Sequence, residues 1–365
     1  MRLVIDSQIP YMRGYAERLG EVKYIPGREI SAADVRYADA LIVRTRTRCD
    51  RALLEGSDVR FIATATIGFD HVDTAYLAER GIEWTNCPGC NARSVAQYVR
   101  SALYLLAAHG CWDEGKELTS ALSPAGVLDK SVFSRLTLGI VGVGNVGKAV
   151  CAAAKEMGFG RVLLCDPPRA AREGAAGFSS FEEVARQSDV VTFHTPLTRE
   201  PEENATFHVA DETFFSLLRP TAVVINSSRG EVVDTRALLS AIKGKSIRAA
   251  VVDTWENEPE ISGELLQNVF LGTPHIAGYS ADGKATGTRM SLAAVARHFG
   301  VDETQFSAIE PPALPAGYAY YPEGDGRLLD EALRLYDPTR DYRALLLSPA
   351  SFETLRSSYP LRREK

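Results

Sequence analysis

Residues 138–147 read Leu-Gly-Ile-Val-Gly-Val-Gly-Asn-Val-Gly, a short apolar run that passes directly into the pattern G-x-G-x-x-G. In this pattern Gly142 permits a tight turn, Gly144 lets the backbone approach a pyrophosphate, and Gly147 lets a helix pack closely on the strand. Asp166 closes the next apolar run, where a carboxylate can accept hydrogen bonds from ribose hydroxyls. Glycines at this spacing also occur in plain loops, but strand, helix and acid together predict a dinucleotide-binding site.

The same stretch indicates which dinucleotide binds. The helix that follows the turn begins at Asn145, so the N–H groups of Asn145 and Val146 are expected to face the phosphates. Asp166 would repel a 2′-phosphate, which favours NAD over NADP. Arg169 lies three residues further on and could supply a cation, so NADP stays open as an alternative.

Composition excludes several classes of protein. The chain has 365 residues, 45% of them hydrophobic and 24% charged, which predicts a globular protein of two or three domains. A net charge of −6 gives no basic field for nucleic acid, and no apolar run approaches the length of a membrane span. The N-terminal run ends in an acid at Asp6, unlike the apolar core of a signal peptide, so we expect a cytoplasmic protein.

The cysteines predict neither a disulfide framework nor a metal site. Only Cys87 and Cys90 form a C-x-x-C pair, and a zinc site would need a second pair or nearby histidines. A redox role for the pair stays open, although its proline and glycine also suit a plain turn. We expect the six cysteines to be reduced, partly buried small residues and expect no metal.

Apolar runs alternate with helical patterns along most of the chain. Strands are predicted at 3–5, 40–43, 61–64 and 82–84, and again at 138–141, 162–165, 190–193, 222–225 and 249–252, with long helices at 94–109 and 280–299. Such strands between helices predict parallel sheets covered on both faces. The fold class is therefore α/β, with two Rossmann-like, doubly wound domains. We expect a lid domain of residues 1–93 and 277–300 and a dinucleotide-binding domain of residues 94–276.

The composition changes after residue 300. Residues 305–326 are rich in proline, glycine and tyrosine, and short helices are predicted at 328–335 and 351–356. So short a tail cannot bury a core alone, so we expect residues 301–365 to pack on a partner subunit, with docking on their own chain as the alternative.

Three polar residues follow predicted strands of the second domain, at the sheet edge where ligands of open parallel sheets bind. Histidine titrates near neutral pH, so His275 can take the hydroxyl proton of an alcohol that loses a hydride. Glu258 can orient its ring, and Arg229 can hold a carboxylate with a planar fork of donors. Each alone is a common surface residue. Together they predict an alcohol-oxidising site.

At these residues the chain resembles a known family, the D-isomer-specific 2-hydroxyacid dehydrogenases. The motifs that carry the resemblance are Gly142–Gly147, His194-Thr-Pro-Leu197, Asn226-Ser-Ser-Arg-Gly230, Glu258-Pro259 and Pro274-His-Ile-Ala-Gly278. The resemblance implies two Rossmann-like domains with a cleft between them and His275 as the catalytic acid/base beside Arg229 and Glu258. It also implies cofactor contacts from Thr195, Asp253 and Gly278.

Residues 275–288 and the tail are similar to one branch of that family, which carries a C-terminal α+β dimerisation domain. The branch implies NAD-dependent oxidation of 4-phospho-D-erythronate to 2-oxo-3-hydroxy-4-phosphobutanoate, a step toward pyridoxal 5′-phosphate, in a homodimer. Substrate contacts are then expected from Thr45, Thr66 and Tyr279, and from the N–H groups of the loop that contains Gly68. Arg44 and Arg46, with Arg48, are candidate cations for the phosphate, although solvent exposure explains them equally well. Thr45 replaces the serine expected in this branch, and Phe69 is bulky for its loop.

Two other functions stay open. One is a different phosphorylated D-2-hydroxyacid dehydrogenase, such as a D-3-phosphoglycerate dehydrogenase, although the tail is too short for the regulatory domain that many of those enzymes carry. The other is a catalytically silent protein that senses NAD(H). The presence of Arg229, Glu258 and His275 favours an enzyme.

Overall fold

The computed structural model describes residues 1–199, 204–313, 333, 335–360 and 362–364. This part divides into two compact units, one of residues 1–91 with 280–313 and one of residues 92–279 with the tail from 333 on. The described residues do not form the separate domain predicted for 301–365, because 301–313 continue the first unit and the tail joins the second. A segment this short buries its apolar side chains only against a larger core.

Eleven strands lie in the described residues, in two parallel sheets. The first sheet contains β1 (Arg2–Asp6), β2 (Glu21–Ile25), β3 (Ala40–Val43), β4 (Phe61–Thr64) and β5 (Glu83–Thr85) in the order β2-β1-β3-β4-β5. The second contains β6 (Thr137–Val141), β7 (Arg161–Cys165), β8 (Val190–Phe193), β9 (Val223–Asn226), β10 (Ala249–Val252) and β11 (Leu271–Gly272) in the order β11-β10-β9-β8-β6-β7. The two predicted α/β domains are thus confirmed.

Thirteen α-helices accompany these strands in the part of the chain that is described. They are α1 (Ala32–Val35), α2 (Arg51–Leu54), α3 (Thr74–Arg80), α4 (Ala92–Ala108), α5 (Asn145–Met157), α6 (Pro167–Glu173), α7 (Phe181–Gln187), α8 (Glu212–Leu217), α9 (Thr235–Lys243), α10 (Gly263–Asn268), α11 (Ala281–His298), α12 (Thr339–Leu347) and α13 (Phe352–Ser357). Short 3-10 helices add Ala16–Arg18, Lys130–Arg135, Gly230–Val232, Thr304–Phe306 and Pro349–Ser351.

Each sheet is buried on both faces. In β1, Leu3 and Ile5 pack into one core cluster with residues of α11, whereas Val4 packs into another with residues of α2 and α3. Successive side chains of a strand point to opposite faces, so an unbroken apolar run serves both layers. Strand β2 was not predicted because Glu21 and Lys23 interrupt its apolar residues, which is tolerated at the edge of a sheet.

The tail docks on its own chain. Tyr336, Tyr342 and Phe352 are buried in the core of the second unit, and the Tyr342 hydroxyl donates to the carbonyl oxygens of Leu266 (3.2 Å) and Val269 (2.9 Å). The expectation that the tail packs mainly on a partner is therefore wrong for these residues. The helix predicted at 351–356 corresponds to α13, whereas α12 was not predicted. Of the helix predicted at 328–335, residues 328–332 and 334 lie outside the described residues.

The described residues contain no helix long and apolar enough to cross a membrane. They also contain no group of three or more His, Cys, Asp or Glu side chains that could hold a metal ion. All six cysteines are free thiols, and Cys87 is buried, with its Sγ 3.3 Å from the carbonyl oxygen of Gly287 and from the Ser291 hydroxyl.

Candidate active site

The glycine loop follows β6, the strand at which the order of the second sheet reverses, because β7 lies on one side of β6 and β8 lies on the other. Gly142 has φ of +89°, and a Cβ there would lie 2.6 Å from the carbonyl oxygen of His194. A Cβ on Gly147 would lie 2.1 Å from the carbonyl oxygen of Gly142. A Cβ on Gly144 would instead meet no atom of the described residues within 4 Å, which leaves space for a ligand. The loop therefore has the shape that a pyrophosphate requires.

Asp166 joins this loop to the next strand. One carboxylate oxygen accepts from the N–H of Val143 (2.8 Å) and the other from the N–H of Arg169 (3.0 Å). A carboxylate has about four acceptor positions, so two remain for ribose hydroxyls. The Arg169 guanidinium donates to Glu173 and to the carbonyl oxygen of Val143 (2.6 Å). Because those bonds occupy Arg169, the arrangement favours NAD over NADP.

Buried polar atoms without a partner follow three neighbouring strands. The hydroxyls of Thr195, Ser227 and Thr254 lie one or two residues after the ends of β8, β9 and β10, and none of them pairs with a described residue. Burial lowers the pKa of His194 to about 3, and its Nδ1 is also unpaired among the described residues. Buried polar atoms normally have hydrogen-bond partners, so this cluster fits a polar ligand at the carboxyl ends of the strands. A dinucleotide would provide such partners.

His275 and Glu258 form the hydrogen-bonded pair that the sequence predicted. His275 Nδ1 lies 2.8 Å from Glu258 Oε2, and Glu258 Oε1 accepts from the N–H of Trp255 at 2.9 Å. Burial on its own would raise the pKa of Glu258, but the charge and hydrogen bond of His275, the Trp255 N–H and the charge of Arg356 together hold it below its usual value. Glu258 is therefore ionised at neutral pH and directs the Nδ1 proton of His275 toward itself.

Asp253 fixes the loop that carries His275. Its side chain is buried, and its two oxygens accept from the Thr273 hydroxyl (2.6 Å) and from the N–H groups of Ile276 (2.8 Å) and Ala277 (2.9 Å). These hydrogen bonds stabilise a strained backbone, because His275 has φ of +56°, a conformation that costs about 1–3 kcal/mol for a residue other than glycine. The structure thus gives Asp253 the task of holding this loop, whereas the predicted contact of Asp253 with the cofactor stays a prediction.

Arg229 follows β9 on a loop that lies directly against the loop of Glu258. A Cβ on the next residue, Gly230, would lie 2.0 Å from the backbone of Trp255, so only glycine allows this approach. Asn226 donates to the carbonyl oxygen of Arg229 (2.9 Å) and fixes the turn. The half-buried guanidinium donates once, to the carbonyl oxygen of Ser228 (2.8 Å), and its other donors pair with no described residue. Those donors remain available for a carboxylate.

The other predicted residues of the second unit lie just after His275. Gly278 and Tyr279 are half-buried, and the Tyr279 ring meets that of Tyr359 edge to face, with centroids 6.2 Å apart. The tail residue Tyr359 thus supports a residue predicted to contact the substrate.

The predicted cations of the first unit occupy different environments. Strand β3 ends at Val43, and the chain then turns, with the N–H of Thr47 donating to the carbonyl oxygen of Arg44. Arg44 and Arg46 therefore lie in a turn after the strand. Arg44 is half-buried and paired with buried Asp6 (2.9 Å), whereas Thr45 and Arg46 are exposed. Arg48 is also exposed and lies 3.0 Å from Asp50.

The loop after β4 is held by a chain of side-chain hydrogen bonds. The Thr66 hydroxyl donates to the carbonyl oxygen of Gly68 (2.9 Å) and meets the Thr64 hydroxyl (2.7 Å), which in turn meets His71 Nε2 (3.0 Å). The N–H groups of Ile67 and Gly68 donate to no acceptor among the described residues. The loop therefore presents free N–H groups, as an anion site requires.

Sequence reasoning missed three cations. Burial and the charge of Arg44 lower the pKa of Lys284 to about 8, and Lys284 lies near the start of α11 in the first unit. Arg356 lies 3.7 Å from Glu258, and Arg362 is fully buried and donates to the carbonyl oxygens of Ile276 and Ala277. Lys284 lies within residues 275–288, which resemble one branch of the family, but no local pattern indicates that arginines of the tail reach the loops of Glu258 and His275.

Comparisons with known proteins agree with this geometry. The family model for "D-isomer specific 2-hydroxyacid dehydrogenase, NAD binding domain" matches residues 119–277, which confirms the predicted NAD cofactor. The erythronate-4-phosphate dehydrogenase of Bacteroides fragilis is 48% identical over 100% of this chain and 97% of its own. That of Cronobacter sakazakii is 40% identical over 100% of this chain and 92% of its own.

Among solved structures, the D-lactate dehydrogenase of Aquifex aeolicus complexed with NAD and lactic acid superposes with a TM-score of 0.64 at 24% identity. The match covers 86% of this chain and 100% of that one. At this identity the likeness concerns the fold.

Proposed function

The chain belongs to the erythronate-4-phosphate dehydrogenases, a branch of the D-isomer-specific 2-hydroxyacid dehydrogenases, and we propose that it oxidises 4-phospho-D-erythronate at C2 to 2-oxo-3-hydroxy-4-phosphobutanoate. The cofactor is NAD, which accepts the hydride when bound. The single observation that carries the reaction type is the 2.8 Å hydrogen bond between His275 Nδ1 and Glu258. The choice of substrate rests on relatives that match the whole chain, tail included. The product lies on the route to pyridoxal 5′-phosphate.

His275 is the proposed acid/base. Its Nδ1 proton is directed to Glu258, so Nε2 keeps a lone pair, and Nε2 pairs with no described residue. We assign Nε2 to accept the hydroxyl proton of the substrate as the hydride leaves C2. Glu258 then stabilises the imidazolium across a hydrogen bond between opposite charges.

Arg229 and the loop that contains Thr66 and Gly68 are the proposed carboxylate contacts. The Arg229 guanidinium has unused donors, and the Ile67 and Gly68 N–H groups have no described acceptor, which supports both assignments. An arginine fork also polarises the carbonyl oxygen that develops at C2.

The phosphate of the substrate needs cations, and the first unit offers several. Arg44 is held by Asp6, and the charge of Arg44 helps to lower the pKa of Lys284 to about 8, so both cations lie within electrostatic reach of each other. A dianion between them would relieve this repulsion. We keep Arg46, Thr45 and Tyr279 as further proposed contacts.

Cofactor contacts are proposed for the glycine loop and the strand ends. The glycine loop supplies Gly142, Gly144, Asn145, Val146 and Gly147, and the other proposed residues are Asp166, Thr195, Asp253 and Gly278. The open space at Gly144 supports the contacts proposed for the glycine loop. The Thr195 hydroxyl, which pairs with no described residue, supports the contact proposed for Thr195.

We also propose a cytoplasmic homodimer. Six free cysteines suit a reducing compartment. The proposed contact between subunits rests on the resemblance of the tail to the branch that carries a dimerisation domain. Sedimentation of the purified chain tests the dimer, and a monomer at micromolar concentration would reject it.

The test of the proposed function is a substrate comparison. NADH formation is measured for purified enzyme with 4-phospho-D-erythronate, D-3-phosphoglycerate and unphosphorylated D-erythronate, and in reverse with a supplied 2-oxo acid. We expect a preference for 4-phospho-D-erythronate in kcat/KM. A preference for phosphoglycerate would assign a different phosphorylated hydroxy acid, and NADH binding without turnover on any of the three would indicate a silent NAD(H)-binding protein.

A further inference from the structure

The described C-terminal residues 352–360 and 362–364 include two arginines that contact the loops of Glu258 and His275. Arg356 Nη1 is 3.7 Å from Glu258 Oε2, the oxygen that also meets His275. Arg362 donates to the carbonyl oxygens of the two residues that follow His275, at 3.0 and 2.5 Å. The segment expected to serve dimerisation thus reaches the proposed active site of its own chain.

Arg362 is built into this position. Its side chain is fully buried, its Nε donates to Gln97 (2.9 Å), and Nη2 donates to the carbonyl oxygen of Ser94 (3.2 Å). The guanidinium also stacks over the ring of Tyr336, with Cζ 3.9 Å from the centroid. A planar fork can make these bonds together, whereas a lysine ammonium cannot. The side chain therefore bridges α4, the tail and the loop after His275.

Arg362 completes the support of a strained loop. Asp253 holds the N–H groups of Ile276 and Ala277, and Arg362 holds the carbonyl oxygens of the same two residues. The preceding residue, His275, has φ of +56°, which persists only where the surroundings impose it. Loss of either support is expected to let the imidazole move.

Arg356 acts on the other member of the pair. Its charge helps to hold the pKa of Glu258 below the usual value, and its buried Nε pairs with no described residue. The tail thus supplies one cation to Glu258 and one to the loop of His275.

We propose that the C-terminal segment of this chain positions the His275–Glu258 pair, with Arg362 fixing the loop after His275 and Arg356 orienting the Glu258 carboxylate. The segment is a positioning element, since no atom of it is assigned to the substrate. The inference rests on the proposed role of His275 as the acid/base.

The first experiment compares Arg362→Ala, Arg362→Lys and the control Arg343→Ala, which removes an exposed arginine of the same tail. We expect kcat to fall about 10- to 100-fold in both Arg362 variants, the scale of a small misplacement of a catalytic group, while the dissociation constant of NADH stays within about threefold. Guanidinium at millimolar concentration should restore turnover to Arg362→Ala, and methylammonium should not. Arg343→Ala should match the wild type.

The second experiment keeps the proposal testable if Arg362 variants fold poorly. Among the described residues of the second unit, Asp253 interacts electrostatically with His275, and Arg356 interacts with Glu258. Oxidation needs neutral His275, and removal of a nearby cation favours the protonated pair. Arg356→Met should therefore move the acidic limb of kcat/KM to higher pH by at least about 0.5 unit, and Arg356→Lys should leave it near the wild-type position.

The outcomes separate the two proposals. Arg362 variants that turn over like Arg343→Ala, or that lose turnover only with melting temperature and without guanidinium rescue, would overturn the positioning role. If the acidic limb of kcat/KM in Arg356→Met stays at the wild-type pH, the role proposed for Arg356 at Glu258 is overturned. A wild-type enzyme inactive on every hydroxy acid would reject the proposed function first.

Discussion

Replacement of Glu258 by glutamine tests the proposed catalytic role of the His275–Glu258 pair most directly. The carboxylate accepts from the Trp255 N–H (2.9 Å) and from His275 Nδ1 (2.8 Å), so both oxygens must be acceptors. An amide offers one acceptor and one donor. If its oxygen keeps the Trp255 bond, its NH₂ faces His275, and the ring must carry its proton on Nε2, where it cannot accept the hydroxyl proton of the substrate.

The magnitude follows from these contacts. A hydrogen bond to a charged group contributes about 1.5–3 kcal/mol, which corresponds to roughly 10- to 150-fold in rate when it is lost as the imidazolium forms. The wrong tautomer adds to this loss, and in the serine-protease triad the equivalent change costs about 10⁴-fold. We therefore expect Glu258→Gln to lower kcat by about 10²- to 10⁴-fold.

The assay is steady-state NADH formation beside titration of NADH binding by fluorescence and a melting curve. The matched control is Glu260→Gln, which changes an exposed glutamate two residues away and should leave kcat unaltered. Because the substitution acts on proton transfer, NADH affinity and melting temperature should change little. A kcat within about threefold of the wild type, with NADH binding intact, would refute the assignment of His275 as the base.

Four other predictions use single substitutions. Gly144→Ala should fold normally, since its Cβ meets no atom within 4 Å, but should weaken NADH binding at least about tenfold in a fluorescence titration, because that space is assigned to the cofactor. Gly230→Ala should lower the free energy of unfolding by about 3 kcal/mol or more, since its Cβ would lie 2.0 Å from neighbouring backbone, whereas Gly263→Ala, with open space, should change it little in urea titrations. Arg229→Lys should raise KM for the hydroxy acid and lower kcat despite its unchanged charge, and equal kinetics would contradict a bidentate contact. Burial raises the pKa of Asp341 to about 7. The protonated side chain therefore contributes stability that is fully present below the pKa of the unfolded chain and is lost as the pH rises through about 7. Asp341→Asn should remove that part of the pH dependence of the melting temperature, and parallel profiles of variant and wild type would count against this assignment.

The sequence predicted the parts of this protein that depend on neighbours in the chain. The apolar runs gave nine of the strands because a buried parallel strand needs an unbroken apolar stretch, and the glycine loop was identifiable because its turn, approach and packing requirements fall within six residues. His275 and Glu258 were found in the same way, since both follow strands at the edge of the sheet where ligands bind. Strand β2 was missed because an edge strand tolerates charge.

Only the tertiary structure decided which distant groups meet. Arg44 pairs with Asp6 across 38 positions of sequence, and Arg362 reaches the carbonyl oxygen of Ile276 across 86. Such contacts depend on which faces of helices and sheets pack together, and no local periodicity encodes that choice. The sequence by itself thus determined the fold class, the cofactor and the two members of the His275–Glu258 pair that we propose for catalysis. The structure decided that the tail docks on its own chain, because buried aromatic residues and one buried arginine are stable only against a core that already exists.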